Sequence, residues 1–369
     1  MNYIGSKYSL LSDIRRVLDK HGVPADGLAL DLFSGTGVVA QALKTRGHVV
    51  HANDWQYYSY VTNVALIEQD SIPEFGGLLR DEHWRKRIGR APTLFGTPAD
   101  GVLAYLNHHE GRPGPFYEAY CEGGTAGRQY FSKHNGLRIQ TIRDEIKLWR
   151  DEGLTTENEM CWLVACLIES ADRVANTASV YGAYLKHVKA SAHKRLALRP
   201  LEPVNSPDGA LGHKAHCEDA ARLLDQLRNM HFRLVYIDPP YNARQYNSNY
   251  HILETIARWD VESFVPRGVT GLREAKENRS DYCLQRKAEG TFRELFGKLN
   301  AEYVLFSYNN EGLLSDDALR RLFDQRCDEV HFERVAYKRF RADTDGENRV
   351  YSGDETTEYL IMGKLRAEQ

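Results

Sequence analysis

Residues 28–54 read LALDLFSGTGVVAQALKTRGHVVHAND and have the pattern of a βαβ unit. The apolar run at residues 28–33 predicts a short buried strand, and the glycines at 35 and 37 predict a tight turn into a helix. Residues 48–52 predict a second strand. Because βαβ units build parallel sheets, this stretch predicts an α/β fold of the Rossmann-like, doubly wound kind.

The remaining strands of the sheet are predicted in the sequence after a long helical region. Strand-like apolar runs return at residues 213–217, 233–237, 302–307, 329–337 and 356–362. Residues 71–205 have a mostly helical and irregular pattern, with amphipathic helices predicted at 137–150 and 157–176. The simplest layout is a sheet domain, residues 1–70 and 206–369, interrupted by an inserted helical domain at residues 71–205.

Length and composition limit the classes of function. The chain has 369 residues, of which 42% are apolar, enough for one large α/β domain and a smaller insertion. Its net charge is only −3, so binding to a polyanion requires locally concentrated positive charge. The six cysteines form no CxxC pair, which predicts reduced cytoplasmic thiols rather than disulfides or a zinc site. No signal-peptide pattern and no long apolar run is present, so we expect no membrane partner.

Asp238-Pro239-Pro240-Tyr241, the DPPY segment, directly follows the apolar run at residues 234–237. Both prolines lack a backbone N–H and have a fixed φ, so the segment is rigid and rich in acceptors. It lies at the carboxyl end of a predicted strand, where open α/β sheets bind ligands. The Asp238 carboxylate and nearby carbonyl groups could accept hydrogen bonds from an amino group, and Tyr241 could stack on the ring that carries it. The pattern suits a planar base with an exocyclic amine; an ordinary strand-terminating turn is the alternative.

The glycine turn by itself fits more than one cofactor. Gly35-Thr36-Gly37-Val38-Val39-Ala40 matches G-x-G-x-x-[G/A], and Asp54 closes the next strand. This is the dinucleotide-binding fingerprint, so a nicotinamide-dependent oxidoreductase is one hypothesis. The same turn serves any nucleoside cofactor, including S-adenosylmethionine. The DPPY segment favours methyl transfer, whereas nothing else in the chain indicates a hydride-transfer site.

Several motifs occur in the order found in one enzyme family. They are Tyr3-Ile4-Gly5-Ser6-Lys7, the stretch 31–37, Asn53-Asp54, Asp219 and the DPPY segment. In this order they resemble the D12-class, Dam-like adenine-N6 DNA methyltransferases, and residues 250–255 and 307–312 are also similar to segments of that family. The resemblance covers roughly residues 1–70 and 210–365. It implies a sheet domain that binds S-adenosylmethionine and a target-recognition region within residues 71–205.

The resemblance also implies a set of cofactor contacts. They are Tyr3, Lys7, Asp31, Phe33, Gly35, Gly37, Asp54 and Asp219. Tyr3 and Lys7 would lie against the methionine end of the cofactor, and Asp31 could pair with its amino group. Asp54 would bind the ribose hydroxyls, and Asp219 would accept a hydrogen bond from the adenine amine.

Structural alternatives exist for most of these contacts. Lys7 could be solvated, and Asp31 could instead cap the helix that follows the glycine turn. Asp54 could be a turn residue at the end of its strand. Glu218 is close enough in sequence to Asp219 to be the adenine contact in its place.

Asp238, Pro239, Pro240 and Tyr241 are the predicted catalytic residues. The lone pair of an adenine N6 is delocalised into the ring, so acceptors that hold its hydrogens lower the barrier as positive charge develops. The sulfonium is a good leaving group, so no metal is required. A base paired in a duplex cannot reach such a pocket, which implies base flipping. By resemblance, aspartate at 238 favours adenine in DNA; RNA adenine methylation and a catalytically silent DNA-binding module are the alternatives.

Positive charge is segregated in residues 173–201, the basic segment, which contains no Asp or Glu. Its predicted phosphate contacts are Lys186, Lys189, Lys194 and Arg195. A solvated helix face is the alternative. Further predicted DNA contacts are Arg244, after the DPPY segment, and Lys338 and Arg339, after a strand-like run.

The polar and aromatic run at residues 128–135 could read base edges or could start a helix. Taken together, the residues and the resemblance predict a site-specific, S-adenosylmethionine-dependent adenine-N6 methyltransferase that acts on double-stranded DNA. We expect it in the cytoplasm, associated with the nucleoid, and a cognate restriction endonuclease is a partner that the resemblance allows.

Overall fold

The computed structural model describes residues 6–89, 96–207, 209, 211–241, 246–273, 280–338 and 355–366. For residues 246, 247, 337, 338, 355 and 356 only the backbone is described. Within these ranges the strands are β1 (Leu28–Asp31), β2 (Val49–Asn53), β3 (Lys214–His216), β4 (Phe232–Ile237), β5 (Ala301–Asn309), β6 (Cys327–Lys338) and β7 (Glu355–Leu365).

The α-helices of the described residues are α1 (Leu11–Lys20), α2 (Val38–Arg46), α3 (Tyr57–Asn63), α4 (Gly76–Arg80), α5 (Glu82–Ile88), α6 (Pro98–His108), α7 (Pro115–Tyr120), α8 (Lys133–Asp151), α9 (Glu157–Arg173), α10 (Ala220–Gln226), α11 (Tyr246–Arg258), α12 (Ala288–Gly297) and α13 (Asp316–Asp324). None of them is both long and apolar enough to span a membrane.

The strands form one sheet in the order β3-β2-β1-β4-β5-β7-β6. Every neighbouring pair is parallel except the two pairs that involve β7, which lies antiparallel between β5 and β6. Each predicted strand is present with its ends moved by a few residues, and the α/β, Rossmann-like fold is confirmed. The direction of strand addition reverses between β1 and β4, and this switch point is where such sheets bind ligands.

The central strands are buried on both faces, which explains their continuous apolar sequences. On one face Val235 and Ile237 of β4 pack in a cluster with side chains of α10, α12 and α13. On the alternate positions Leu234 and Tyr236 are also buried. The polar residues therefore collect just beyond the strand ends, at the edge where the DPPY segment begins.

Contacts among the described residues divide the chain into two compact units. The sheet unit lies within residues 4–63, 204–246 and 278–369. The helical unit lies within residues 64–203 and 247–277, so it contains most of the predicted insertion and also residues that follow the DPPY segment. The predicted helices at 137–150 and 157–176 are confirmed as α8 and α9.

Buried arginines connect the described residues 248–273 to the helices of the helical unit. Arg143 of α8 donates from Nε to the carbonyl of Ile256 (2.9 Å) and from Nη2 to that of Ala257 (2.9 Å). Arg128 donates to the carbonyls of Gly268 (2.9 Å) and Val269 (3.0 Å). These carbonyls lie at a helix end and in a loop, where the regular backbone pattern of helix or sheet does not provide all the partners that buried carbonyls need.

Candidate active site

Lys7 is placed between two carboxylates in the sheet unit. Its Nζ atom lies 3.1 Å from Oδ1 of Asp238 and 2.6 Å from Oε1 of Glu358. The Lys7 side chain is only 4% exposed, so the alternative in which it is solvated is wrong. Burial lowers the pKa of Lys7, but the charges of Asp238 and Glu358 more than offset this effect, and the pKa is raised well above its ordinary value. Lys7 is therefore a buried cation at every pH of interest.

Glu358 was not identified from the sequence. It lies in β7 opposite Asn309 of β5, and its side chain is 1% exposed. Its Oε1 accepts a hydrogen bond from Oγ of Ser307 (2.8 Å), and its Oε2 accepts one from Nδ2 of Asn309 (3.2 Å). The sequence contains one indication of its role. Glu358 directly precedes the apolar run at residues 359–362, and a carboxylate buried with such a strand needs a buried partner.

Asp238 is in an environment that favours a proton near neutral pH. Burial raises the pKa of its carboxyl to about 7; the Lys7 charge opposes this shift and the Glu358 charge adds to it. Its Oδ1 atom is buried and, apart from the ion pair with Lys7, has no hydrogen-bond partner among the described residues. The lone pairs of this atom are therefore available to a donor that enters the site.

Tyr241 is fixed by contacts on its ring and on its backbone. The ring lies edge-to-face with Tyr308, with 5.9 Å between centroids, and Nζ of Lys7 lies 5.4 Å from the Tyr241 centroid. Its carbonyl accepts the N–H of Leu313 at 3.0 Å. The DPPY segment therefore presents a half-buried aromatic ring in a defined position next to the Asp238 carboxylate.

The glycine turn needs glycine for two reasons. Gly35 and Gly37 have φ values of +52° and +75°, in the left-handed region that other residues rarely adopt. A Cβ atom on Gly37 would also lie 2.5 Å from Oδ1 of Asn63. Asn63 accepts a hydrogen bond from Oγ of Ser34 (3.2 Å) and donates to the carbonyl of Gly35 (3.4 Å). Sequence inspection missed Asn63, which holds the turn in shape.

Asp31 ends β1 as a buried carboxylate without a partner. It is 1% exposed, and neither carboxylate oxygen has a hydrogen-bond partner among the described residues. Burial raises its pKa to about 8; the nearby Ser34 hydroxyl and Ala40 N–H oppose this shift, and the charges of Asp238 and Asp54 add to it. The residue before α2 is Gly37, which has no side chain to cap the helix, and the backbone N–H of Ala40 in the first turn of α2 acts on the Asp31 carboxyl. The alternative in which Asp31 caps this helix therefore stays open. An orphaned acceptor at a strand end is typical of a ligand site.

Asp54 and Asp219 each accept hydrogen bonds from the backbone. In Asp54, Oδ2 accepts the N–H of Gly35 (2.9 Å) and Oδ1 accepts that of Gln56 (2.8 Å). Asp219 is the N-cap of α10, with Oδ1 accepting the N–H groups of the second and third helical residues. Each carboxylate oxygen has two lone pairs, so these bonds leave room for ligand hydroxyls or amines. The ligand contacts of both residues stay predictions.

Glu218 and Asn53 organise the strand ends around Asp54. Glu218 accepts the N–H of Asp219 at 2.9 Å and an amide N–H of Gln226 at 3.3 Å. Asn53 donates to the carbonyls of Leu32 (3.1 Å) and Glu218 (3.1 Å), and so connects the loops that follow β1 and β3. These bonds give the predicted cofactor edge a fixed shape.

Five further predicted contacts are Tyr3, Phe33, Arg244, Lys338 and Arg339, and only part of this set is described. Phe33 is partly buried and lies edge-to-face with Tyr282, with 5.3 Å between centroids. Tyr3, Arg244 and Arg339 lie outside the described residues. Lys338 is the last residue of β6, and its side chain is outside the described part.

The basic segment is a loop on the helical unit. After Arg173 its only helical part is the 3-10 turn Ala190–His193, so the alternative of a solvated helix face is wrong in this fully described segment. Lys186, Lys194 and Arg195 are exposed. Lys189 is half-buried and donates from Nζ to the carbonyl of Thr177 at 2.7 Å, so it serves the loop's own structure.

The run at residues 128–135 ends in the first turn of helix α8, and two of its polar side chains serve the structure of the helical unit. Arg128 is buried, and its guanidinium donates to loop carbonyls of the helical unit. Asn135 is buried as well and donates to the carbonyls of Ala192 (3.0 Å) and Lys194 (2.9 Å). For these two side chains the hypothesis of base contact is wrong. Asn135 instead holds the basic segment in place.

Comparison with known proteins identifies the family of the chain. A family model described as D12 class N6 adenine-specific DNA methyltransferase matches residues 3–321. The chain is 39% identical over 363 residues to the type II methyltransferase M.NlaIII of Neisseria lactamica, and the alignment covers 98% of both chains. It is 36% identical over 328 residues to the type II methyltransferase M.FokI of Planomicrobium okeanokoites, covering 87% of this chain and 46% of that protein.

A more distant relative also aligns along its whole length. The type II methyltransferase M.CviAII of Paramecium bursaria Chlorella virus 1 is 29% identical over 368 residues, or 98% of both chains. No solved structure matches the chain. The family match spans the glycine turn and the DPPY segment together, and it removes the nicotinamide-dependent oxidoreductase as a hypothesis. The chain therefore belongs to the D12 class of N6 adenine-specific DNA methyltransferases.

Proposed function

We propose that this methyltransferase transfers the methyl group of S-adenosylmethionine to N6 of an adenine flipped out of double-stranded DNA. The observation that carries the proposal is the pair of carboxylates at adjoining strand ends, the buried Asp31 at the end of β1 and the half-buried Asp238 after β4, neither of which has its hydrogen-bonding capacity filled within the described residues. One acceptor suits the ammonium of the cofactor and the other suits the amine of the base.

The residues after β1 fit S-adenosylmethionine. The orphaned carboxylate of Asp31 needs a donor, and an α-amino group supplies a charged one. Gly35 and Gly37 allow the backbone to approach a ligand without a Cβ atom. Asp54 closes the neighbouring strand, where its carboxylate can accept ribose hydroxyls, and Asp219 or Glu218 can accept the adenine amine. When bound, the cofactor supplies an activated methyl group on a sulfonium.

Asp238 and Pro239 position the amine of the target adenine. The Asp238 carboxylate accepts one N6 hydrogen, and the backbone carbonyl of Asp238 or Pro239 accepts the other. Both acceptors oppose the positive charge that N6 develops as its bond to carbon forms, so they bind the transition state more strongly than the ground state. The proton leaves N6 after this step, so Asp238 need not be a strong base.

Tyr241 holds the flipped base by stacking. Its ring is already fixed by Tyr308 and by its proximity to Lys7, which limits the entropy lost when a base binds. Flipping costs about a few kcal/mol of unstacking and unpairing. Exposed cations of the basic segment, Lys186, Lys194 and Arg195, offset part of this cost by binding phosphates.

We also infer a role in restriction–modification. M.NlaIII, which aligns over almost its whole length, and M.FokI, which aligns over about half of its length, are both named type II methyltransferases. These names support a cognate restriction endonuclease as a partner. In that role the enzyme acts in the cytoplasm on the DNA of the nucleoid.

Two measurements test the proposal. Isothermal titration calorimetry should detect binding of S-adenosylhomocysteine but not of NAD to the purified chain. Transfer of a labelled methyl group should occur to a duplex DNA library and not to total RNA. Labelling of RNA alone, or binding of neither nucleoside ligand, contradicts the proposal.

A further inference from the structure

Glu358 is the one member of the charged group around Asp238 for which the reaction gives no immediate role. It does not belong to the DPPY segment or to the glycine turn, yet its carboxylate is buried and takes the shorter contact with Lys7, 2.6 Å against 3.1 Å for Asp238. A buried carboxylate is costly unless it is paired and hydrogen-bonded. The role of the Glu358 carboxylate is therefore to be found in the groups that it contacts.

Hydrogen bonds from β5 fix the position of the Glu358 side chain independently of Lys7. Ser307 and Asn309 lie on alternate positions of β5 and donate to its two oxygens at 2.8 and 3.2 Å. The antiparallel pairing of Asn309 with Glu358 sets the register of this contact. Glu358 is therefore a pre-oriented acceptor on paired strands, and Lys7 reaches it from the 3-10 turn before α1.

We propose that Glu358 is a positioning residue of the methyl-transfer site, which holds the Lys7 ammonium and balances its charge so that the Asp238 carboxylate stays free to accept the target amine. The inference rests on the proposed function, because it requires that Asp238 receive the N6 hydrogens. With both carboxylates ionised, the cluster of Lys7, Asp238 and Glu358 carries one net negative charge at the point where N6 becomes positive.

Loss of the Glu358 charge has two consequences for Asp238. The ammonium of Lys7 is then opposed by one carboxylate only, so it competes with the incoming amine for the lone pairs of Asp238. The net charge of the cluster also changes from −1 to zero, which removes stabilisation of the developing positive charge. Both consequences lower the rate of the chemical step, and neither acts directly on cofactor binding.

The direction of a pH shift distinguishes this role from a purely structural one. Charged and titratable groups face Asp238 from several elements: Lys7, Asp31, Tyr236 and Glu358. Of these, Glu358 raises the pKa of Asp238, while Lys7 lowers it. Removal of the Glu358 charge should therefore move the protonation of Asp238 to lower pH, even though the maximal rate falls.

The test is the pH dependence of single-turnover methylation of duplex DNA by full-length Glu358→Gln. With cofactor and DNA saturating, the plateau rate should fall about 10- to 100-fold, the range for a lost charged hydrogen-bond partner. The acid limb should shift to lower pH, and the affinity for S-adenosylhomocysteine should change little. Glu329→Gln, the same change at an exposed position of β6, is the matched control and should behave as wild type.

Ser307→Ala gives a second variant that removes only one hydrogen bond to Glu358. Because it keeps the Glu358 charge and only loosens the hold on that carboxylate, it should give a smaller loss of plateau rate with the acid limb close to that of wild type, so the inference stays testable if Glu358→Gln does not fold. An unshifted acid limb in folded Glu358→Gln, or a wild-type plateau rate in either variant, overturns the inference. If Asp238→Ala is inactive while Glu358→Gln is normal, only this inference fails; if Asp238→Ala is itself active, the proposed function fails with it.

Discussion

Asp31 is paired in register with Tyr236 across β1 and β4, so the carboxylates of Asp31 and Asp238 leave neighbouring strands at the same edge of the sheet. Burial is the main cause of a raised pKa in both, to about 8 for Asp31 and about 7 for Asp238. Groups with such shifts concentrate at functional sites. The division of tasks between these two carboxylates leads to the first two predictions.

Asp238→Ala should abolish most of the chemistry while the cofactor still binds. The loss of one acceptor for the developing charge should reduce the single-turnover rate at least about 10²-fold, by analogy with an oxyanion-hole donor. Binding of S-adenosylhomocysteine, measured by calorimetry, should persist. A rate within a few-fold of wild type would show that the DPPY carboxylate does not hold the target amine.

Asp31→Asn should weaken cofactor binding and stabilise the ligand-free protein. The folded-state pKa of Asp31 is about 8 and its ordinary value is 3.8, so the folded state binds this proton more tightly than the unfolded state. Stability is therefore lost as pH rises from about 4 to about 8, and the asparagine variant lacks this loss.

Unfolding in urea at pH 5 and pH 8, without ligand, checks the second prediction. Wild type and Asp31→Asn should be similar at pH 5, and the variant should be more stable at pH 8. Calorimetry should show weaker binding of S-adenosylhomocysteine by the variant. Equal affinity would remove Asp31 from the cofactor site, and a stability difference that does not depend on pH would contradict its raised pKa.

Asp54→Ala should weaken cofactor binding about 10- to 100-fold, the range for charge-assisted hydrogen bonds to ribose hydroxyls. Part of the loss comes from the glycine turn, because Oδ2 of Asp54 accepts the N–H of Gly35 at 2.9 Å. Asp54→Asn keeps one oxygen acceptor and should lose less. If calorimetry gives an unchanged affinity for the alanine variant, Asp54 is a turn residue only.

Neutralising Lys194 and Arg195 to glutamine should flatten the salt dependence of DNA affinity. Each phosphate contact contributes about −0.9 to the slope of log K against log salt, so the slope should become less negative by up to about 1.8. The control is Lys86→Gln with Lys147→Gln, two exposed lysines that pair with acids on their own helices. Equal slopes for the two double variants would place the phosphates elsewhere.

Gly37→Ala should destabilise the protein by more than about 1 kcal/mol, because the left-handed φ and the contact with Asn63 both oppose a Cβ atom. Gly22→Ala is the matched control: its φ of +65° is similar, but a Cβ there meets nothing within 4 Å. Denaturant unfolding should show the larger loss for Gly37→Ala. Equal losses would mean that the turn relaxes around the added methyl group.

The sequence predicted those parts of the molecule that depend on local pattern. The strands around Ala29 and Val235 are continuous apolar runs, and the turn between β1 and α2 needs its glycines whatever the rest of the chain does. The DPPY segment directly follows the apolar run of β4, and its prolines cannot continue a central strand. Each of these features depends only on residues that are close together in the sequence.

The parts that were missed depend on contacts between distant residues. Glu358 meets Lys7 only because β7 pairs with β5, and 351 positions separate the two residues in the chain. Arginine is a residue type that reads DNA bases, so the sequence leaves two roles open for Arg128. Its actual partners are loop carbonyls more than 130 residues away, and such distant contacts leave no local sequence pattern. Side-chain type alone does not distinguish a buried structural donor from a recognition group.

The most direct test of the account is sequencing of genomic DNA for N6-methyladenine after the chain is expressed in a host free of adenine methylation. We predict methylation at the adenine of one short sequence motif throughout the genome with the wild-type chain, and none with Asp238→Ala. An unmodified genome with the wild-type chain, or the same methylation with both chains, would contradict the account.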